Sequence, residues 1–124
     1  MREMNEYIKS ILMKILDSYS IIENMTDTSN DLITLQIEIT HIMGFFTIIF
    51  RKTKEMNDSG QEFATLNKIV GHYLKNYDFT REINLLLKTY SEDESRIRNI
   101  RITILKSLHD KKLIEKIYEL SKNL

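Results

Sequence analysis

The sequence predicts an all-α fold: a compact bundle of five or six helices around a central apolar helix at about residues 31–54. Three observations lead there. Proline is absent, so no helix interior loses an amide donor. Apolar side chains recur at steps of three and four through most of the chain, the period of one helix face. Short polar runs rich in capping residues separate these stretches.

In the first stretch, Met4, Ile8, Ile11, Leu12, Ile15, Leu16, Tyr19 and Ile22 form a single stripe, which predicts a helix over residues 3–24. The polar run Thr26 to Asn30 is a connection, with Ser29 or Asn30 the expected N-cap of a second helix starting near Asp31. Leu32 to Phe50 supports three readings. Ile33, Leu35, Ile37 and Ile39 alternate with polar residues, and Gly44 could turn a hairpin. A membrane span is nearly long enough, but Gln36, Glu38 and His41 make insertion costly. Helix is preferred, because a lone hairpin needs further strands and none is predicted. As a helix, Leu32, Leu35, Ile39, Ile42, Met43, Phe46, Ile49 and Phe50 make one face, while Ile33, Ile37, Phe45 and Ile48 cover the others. A helix apolar nearly all round is expected at the centre of a bundle.

Ser59 with Glu62 reads as a capping box for a third helix, whose face of Phe63, Leu66, Ile69, Val70, Tyr73, Leu74 and Tyr77 runs to about Asn76. Asp78 or Thr80 can cap a shorter fourth helix burying Phe79, Ile83, Leu86, Leu87 and Tyr90. A second box, Ser91 to Glu94, opens a fifth, with Ile97, Ile100, Ile104, Leu105 and Leu108 as its stripe. Lys111, Lys112 and Glu115 fall where that stripe would continue, and the pattern resumes out of phase at Leu113, Ile114, Ile117, Tyr118 and Leu120. A break is therefore expected near His109 and Asp110, with Asp110 capping a sixth helix.

The 124 residues fit one helical domain, residues 1–124, able to bury roughly two-thirds of the surface of its unfolded chain. Cysteine is absent, which excludes disulfides, thiolate metal ligands and cysteine nucleophiles and points to a reducing compartment. The charged start, MREMNEYIKS, lacks the apolar core of a secretory signal, so the cytoplasm is expected, that of a host if the source is a virus or phage. Basic and acidic side chains number 18 each, but residues 1–62 hold 6 and 10, and residues 63–124 hold 12 and 8. Abundant Ile and Lys, with Ala only at position 64, suggest A/T-rich codons and hence a low-GC bacterium, its phage or plasmid, or a virus.

Catalytic signals are sparse. His41, His72 and His109 lack the three- or four-residue pairing that puts two imidazoles on one helix face, and no metal or cofactor is expected. No Gly-rich phosphate loop, nucleophile elbow or Ser-x-x-Lys motif occurs. His41, partway along a long helix, is the one candidate for histidine phosphotransfer, but among Ile39, Ile42 and Phe45 it reads as a partly buried structural residue. Gly71 and Gly44 sit within predicted helices, where glycine costs about 1 kcal/mol against Ala, so each is expected where a neighbouring helix packs closely. A helix-turn-helix over Leu66 to Leu85 fits poorly, since Tyr73 and Leu74 continue the stripe through the supposed turn.

Two binding readings remain. Tyr7, Met13, Met25 and Met56 fall off the stripes, and exposed Met and Tyr suit a surface for a partner protein or a second copy of the chain. The expected function is accordingly a non-catalytic interaction module, an accessory regulator or inhibitor. The alternative is a DNA- or RNA-binding regulator, dimeric, using Arg96, Arg98, Arg101, Lys106, Lys111, Lys112 and Lys116; with Lys122, and net of Asp110, Glu115 and Glu119, these give the last 29 residues a local charge of +5.

Overall fold

A computed structural model of the chain describes residues 2–56 and 60–124, the side chain of Arg2 apart. It is an all-α bundle: α1 (Arg2–Glu23), α2 (Ser29–Lys54), α3 (Gln61–Asn76), α4 (Thr80–Thr89), α5 (Glu94–Leu108), a 3-10 turn (Asp110–Lys112) and α6 (Leu113–Asn123), with no strand among the described residues. The hairpin alternative for Leu32 to Phe50 is thereby replaced by unbroken helix.

α2 is the axis of the bundle and packs against α1, α3, α4 and α5, while α6 closes on α1 and α3. Its inner face of Leu32, Leu35, Ile39, Ile42, Phe46 and Ile49 is buried, meeting Ile8, Leu12 and Ile15 of α1 and Leu66, Val70 and Tyr73 of α3 in one core. Phe46 meets the edge of Tyr73 at 5.0 Å between ring centroids. Burial of each such aliphatic or aromatic side chain contributes about 1.5–3 kcal/mol, the main term holding the helices together.

The helix caps differ from expectation in detail. α2 is capped by Thr28, not Ser29 or Asn30: Asp31 donates its amide to Thr28 Oγ1 at 3.3 Å, and its carboxylate also accepts from Thr26. α5 is capped by Asp93, not Ser91, through a bond from the Arg96 amide at 3.1 Å. Glu62 lies in the first turn of α3, but Ser59, its proposed capping partner, lies outside the described residues; Gly60 fills the N-cap place with φ 103°, a conformation open to glycine. At α4 the N-cap is Phe79, with no side-chain bond at the cap, rather than Asp78 or Thr80; Asp78, one residue earlier, accepts from the Thr80 amide at 3.0 Å.

The predicted break at His109 and Asp110 is present, and its mechanism is new. Lys111 and Lys112 both adopt left-handed backbone, φ 52° and 58°, which turns the chain between α5 and α6. Asp110 does not cap α6; its carboxylate accepts from Tyr77 Oη at 2.8 Å and pairs with His72 Nε2 at 3.2 Å. These two bonds tie the break to the end of α3. Tyr118 of α6, expected in the core, is exposed under the Lys122 ammonium.

The two helical glycines have opposite environments. A Cβ on Gly71 would stand 2.6 Å from Phe50 Cε1, so α2 and α3 do approach closely there. A Cβ on Gly44 would have no neighbour within 4 Å, contrary to the expected packing role. Ile33 and Ile37 are exposed too, so α2 is central but not enclosed.

Candidate interaction face

On α2, Ile33, Ile37, Thr40, Gly44 and Ile48 recur at steps of four and three and therefore share one row, opposite the buried row. The first four are exposed and Ile48 is half-buried. Thr40 donates its hydroxyl to Gln36 O at 2.8 Å, one turn back, which satisfies its polar group within the helix. The row from Ile33 to Ile48 thus has no unsatisfied polar side chain. Its flanks are fixed by polar ties: Ser18 Oγ donates to Glu38 Oε1 at 2.8 Å from α1, and Gln36 donates to Asn84 of α4 at 2.9 Å. Among the described residues α2 alone is long and apolar enough to cross a membrane, but 33% of its most apolar window is buried and both flanks are bonded to neighbouring helices.

The adjoining flank of α1 extends the face. Ser18 faces α2, and heptad steps place Tyr7, Lys14 and Ile21 on one row just outside it. Tyr7 lines a shallow depression together with Lys52 of α2, which puts it at the seam between the helices. Tyr7, Met13, Ile21, Ile33 and Ile37 are each 42–51% exposed on these two adjacent helices, while Leu85, Ile102 and Tyr118 are exposed singly on α4, α5 and α6. Single exposed hydrophobes are ordinary, so it is their number on two helices that share a seam that makes this face the candidate.

Of the four side chains singled out for partner binding, Tyr7 belongs to this face, and Met13 lies about 100° further round α1, at its margin. The other two are not exposed on it. Met25 is half-buried against the core, and Met56 is 6% exposed, because the chain folds back after α2 and lays it on the bundle. The signal missed in the sequence was the isoleucines at 33 and 37, which read as core because they lie in the most apolar helix.

Of the basic C-terminal residues, the three arginines are paired within the chain. Asp27, in the loop between α1 and α2 at φ 66°, accepts from Arg101 Nε at 2.6 Å, Arg101 NH2 at 3.2 Å and Arg98 Nε at 3.2 Å. These bonds, chiefly those of Arg101, hold the Asp27 carboxyl below its ordinary range despite burial. Arg96 pairs with Asp93 at 3.2 Å and lies 3.9 Å over the Tyr90 ring. Lys111, Lys112 and Lys116 line a groove together with Glu115 and Glu119, while Lys106 faces a different depression beside Tyr77 and Phe79. Lys106 and the group Lys111, Lys112 and Lys116 thus line separate depressions.

The histidines also sort by geometry. His72 gives Nε2 to Asp110, and its Nδ1 lies 3.2 Å from the Asn76 amide nitrogen. His109 is bonded to Glu115 through Nδ1 and lies 2.7 Å from Tyr19 Oη through Nε2. Both rings are clamps between elements. His41, in contrast to the partly buried role expected of it, is 54% exposed, with Glu38 3.6 Å from Nδ1. No group of three or more His, Cys, Asp or Glu suited to a metal ion occurs among the described residues.

No family model, curated protein or solved structure matches the chain. What the fold and the surface define is an all-α bundle whose central helix leaves one apolar row uncovered.

Proposed function

We propose that the chain is a non-catalytic interaction module that acts by docking the outer face of α1 and α2 on a protein. The observation that carries this reading is the uncovered row Ile33, Ile37, Thr40, Gly44 and Ile48, flanked by Tyr7 and Ile21. Leaving five large side chains 42–51% exposed forgoes several kcal/mol of burial, which an interface recovers. The commitment of His72, His109, Arg98 and Arg101 to bonds within the chain supports an architectural role for them. An accessory regulator or inhibitor from a phage, plasmid, virus or low-GC bacterium is the biological setting that the residue usage favours.

The test is affinity capture after nuclease treatment, with the wild-type chain and the double variant Ile33→Asp/Ile37→Asp side by side. Both positions are exposed, so the variant keeps its helical circular dichroism and loses the captured protein. Equal capture by both chains refutes the reading, and loss of all partners on nuclease treatment moves it to nucleic acid.

A further inference from the structure

Gly44 poses a question that the isolated chain does not answer. A glycine inside a helix costs about 1 kcal/mol against alanine. At Gly71 the reason is visible in the Phe50 ring, 2.6 Å from where a Cβ would stand. At Gly44 the corresponding space is open, so nothing among the described residues requires the missing methyl. A body from outside, approaching the backbone of α2 closely, would require it.

Resting on the interaction-module reading, we propose that this body is a second copy of the chain, with the two α2 helices packed antiparallel about a two-fold axis between Thr40 and His41. The row supplies its own complement in that register. Ile37 of one copy meets the gap at Gly44 of the other, and Ile33 meets Ile48, each contact made twice as an isologous interface demands. The residues at the axis are threonine and histidine, and no Lys, Arg, Asp or Glu stands on the row between Ile33 and Ile48. Like charges therefore do not face one another across the axis. The nearest acid, Glu38, is turned to Ser18 of its own α1.

Two global quantities agree. With 18 basic and 18 acidic groups the chain carries no net charge, so no long-range repulsion opposes association of identical copies. The accessible surface is 7586 Å², against roughly 7000 Å² for a typical folded monomer of this mass.

The chain has no cysteine, so introduced thiols report contacts without background. Thr40→Cys is expected to form a disulfide-linked dimer under mild oxidation, while Ala64→Cys, exposed on α3, stays monomeric under the same conditions. An equimolar mixture of Ile33→Cys and Ile48→Cys chains is expected to cross-link, and neither alone. In sedimentation equilibrium, Gly44→Leu raises the dimer dissociation constant at least about tenfold, equivalent to ~1.4 kcal/mol, with the helix content unchanged. Cross-linking of Ile33→Cys with itself overturns the antiparallel register. A wild-type chain that sediments as a monomer at its highest soluble concentration overturns the dimer. In that event, capture of a foreign protein that Ile33→Asp/Ile37→Asp abolishes leaves the interaction-module reading standing, and capture that the variant leaves intact removes both.

Discussion

Asp27→Asn isolates the electrostatic part of the clasp between the first loop and α5. Asparagine adopts left-handed backbone nearly as readily as aspartate, so φ 66° is retained and the substitution removes only the charge and part of the bonding. The Arg101 side chain is 15% exposed and, among the described residues, donates to no carboxylate but Asp27, so the variant leaves a largely desolvated guanidinium with the Glu23 carbonyl at 3.4 Å and the charge of Asp31 as its remaining negative surroundings. Breaking such a pair from one side costs about 3–5 kcal/mol when fully buried. The side-chain amide oxygen still accepts one bond, and Arg98, half in solvent, contributes little, so the expected loss is about 2–4 kcal/mol. Urea denaturation at neutral pH measures it as a shift in midpoint with unchanged slope. The pH dependence supplies a second check. A carboxyl held below its ordinary value stabilises the fold above the unfolded pKa of about 3.9, and that contribution is lost as pH falls through the folded pKa. The gap between wild type and variant should therefore close in acid. A variant as stable as wild type at neutral pH, or a gap that persists unchanged in strong acid, refutes the clasp.

Gly71→Ala should destabilise by about 1–2 kcal/mol despite the gain in helix propensity, because the new methyl meets the Phe50 ring; in a Phe50→Ala background the same change should stabilise. Identical effects in both backgrounds would show that the two residues are not in contact. Tyr73, whose phenol is pushed up to about 12 by burial and bonds Ser107 at 2.8 Å, predicts an alkaline transition. Its contribution is fully present below the unfolded value near 10 and is lost as pH rises towards 12, so Tyr73→Phe, weaker by about 1 kcal/mol at neutral pH, should lose less between those values. His41→Gln, at an exposed position, should change stability by less than about 0.5 kcal/mol. Wild-type labelling by a phosphodonor that this variant abolishes would contradict a non-catalytic role.

Much of the fold follows from local pattern. The three-and-four spacing sets the helices, and its loss of phase at Lys111 and Lys112 marks the break, since a helix cannot carry a stripe across that shift. The caps are less legible because Thr28, Ser29 and Asn30, or Ser91 and Asp93, are all competent within three residues, and tertiary packing selects among them. The clasp is invisible to any local rule: Asp27 and Arg101 are 74 positions apart, and two arginines that read as a phosphate-tracking strip are the partners of one buried carboxylate. The uncovered row is hidden for a different reason. An all-round apolar α2 states how much of its surface avoids water, not how many helices the same chain provides to cover it. α1, α3, α4 and α5 take its inner face and flanks, and Ile33 and Ile37 are left outside.

If this row is where the protein meets its partner, as proposed, the isoleucine methyl groups report on it directly. In a spectrum of the isoleucine-labelled chain, followed from dilute to concentrated solution and then with any captured protein, the methyls of Ile21, Ile33 and Ile37 should shift or broaden first. Those of Ile114 and Ile117 on α6 should hold still. Perturbation confined to α6, with Ile33 and Ile37 unchanged, would contradict the account and place the binding surface at the C-terminal helices.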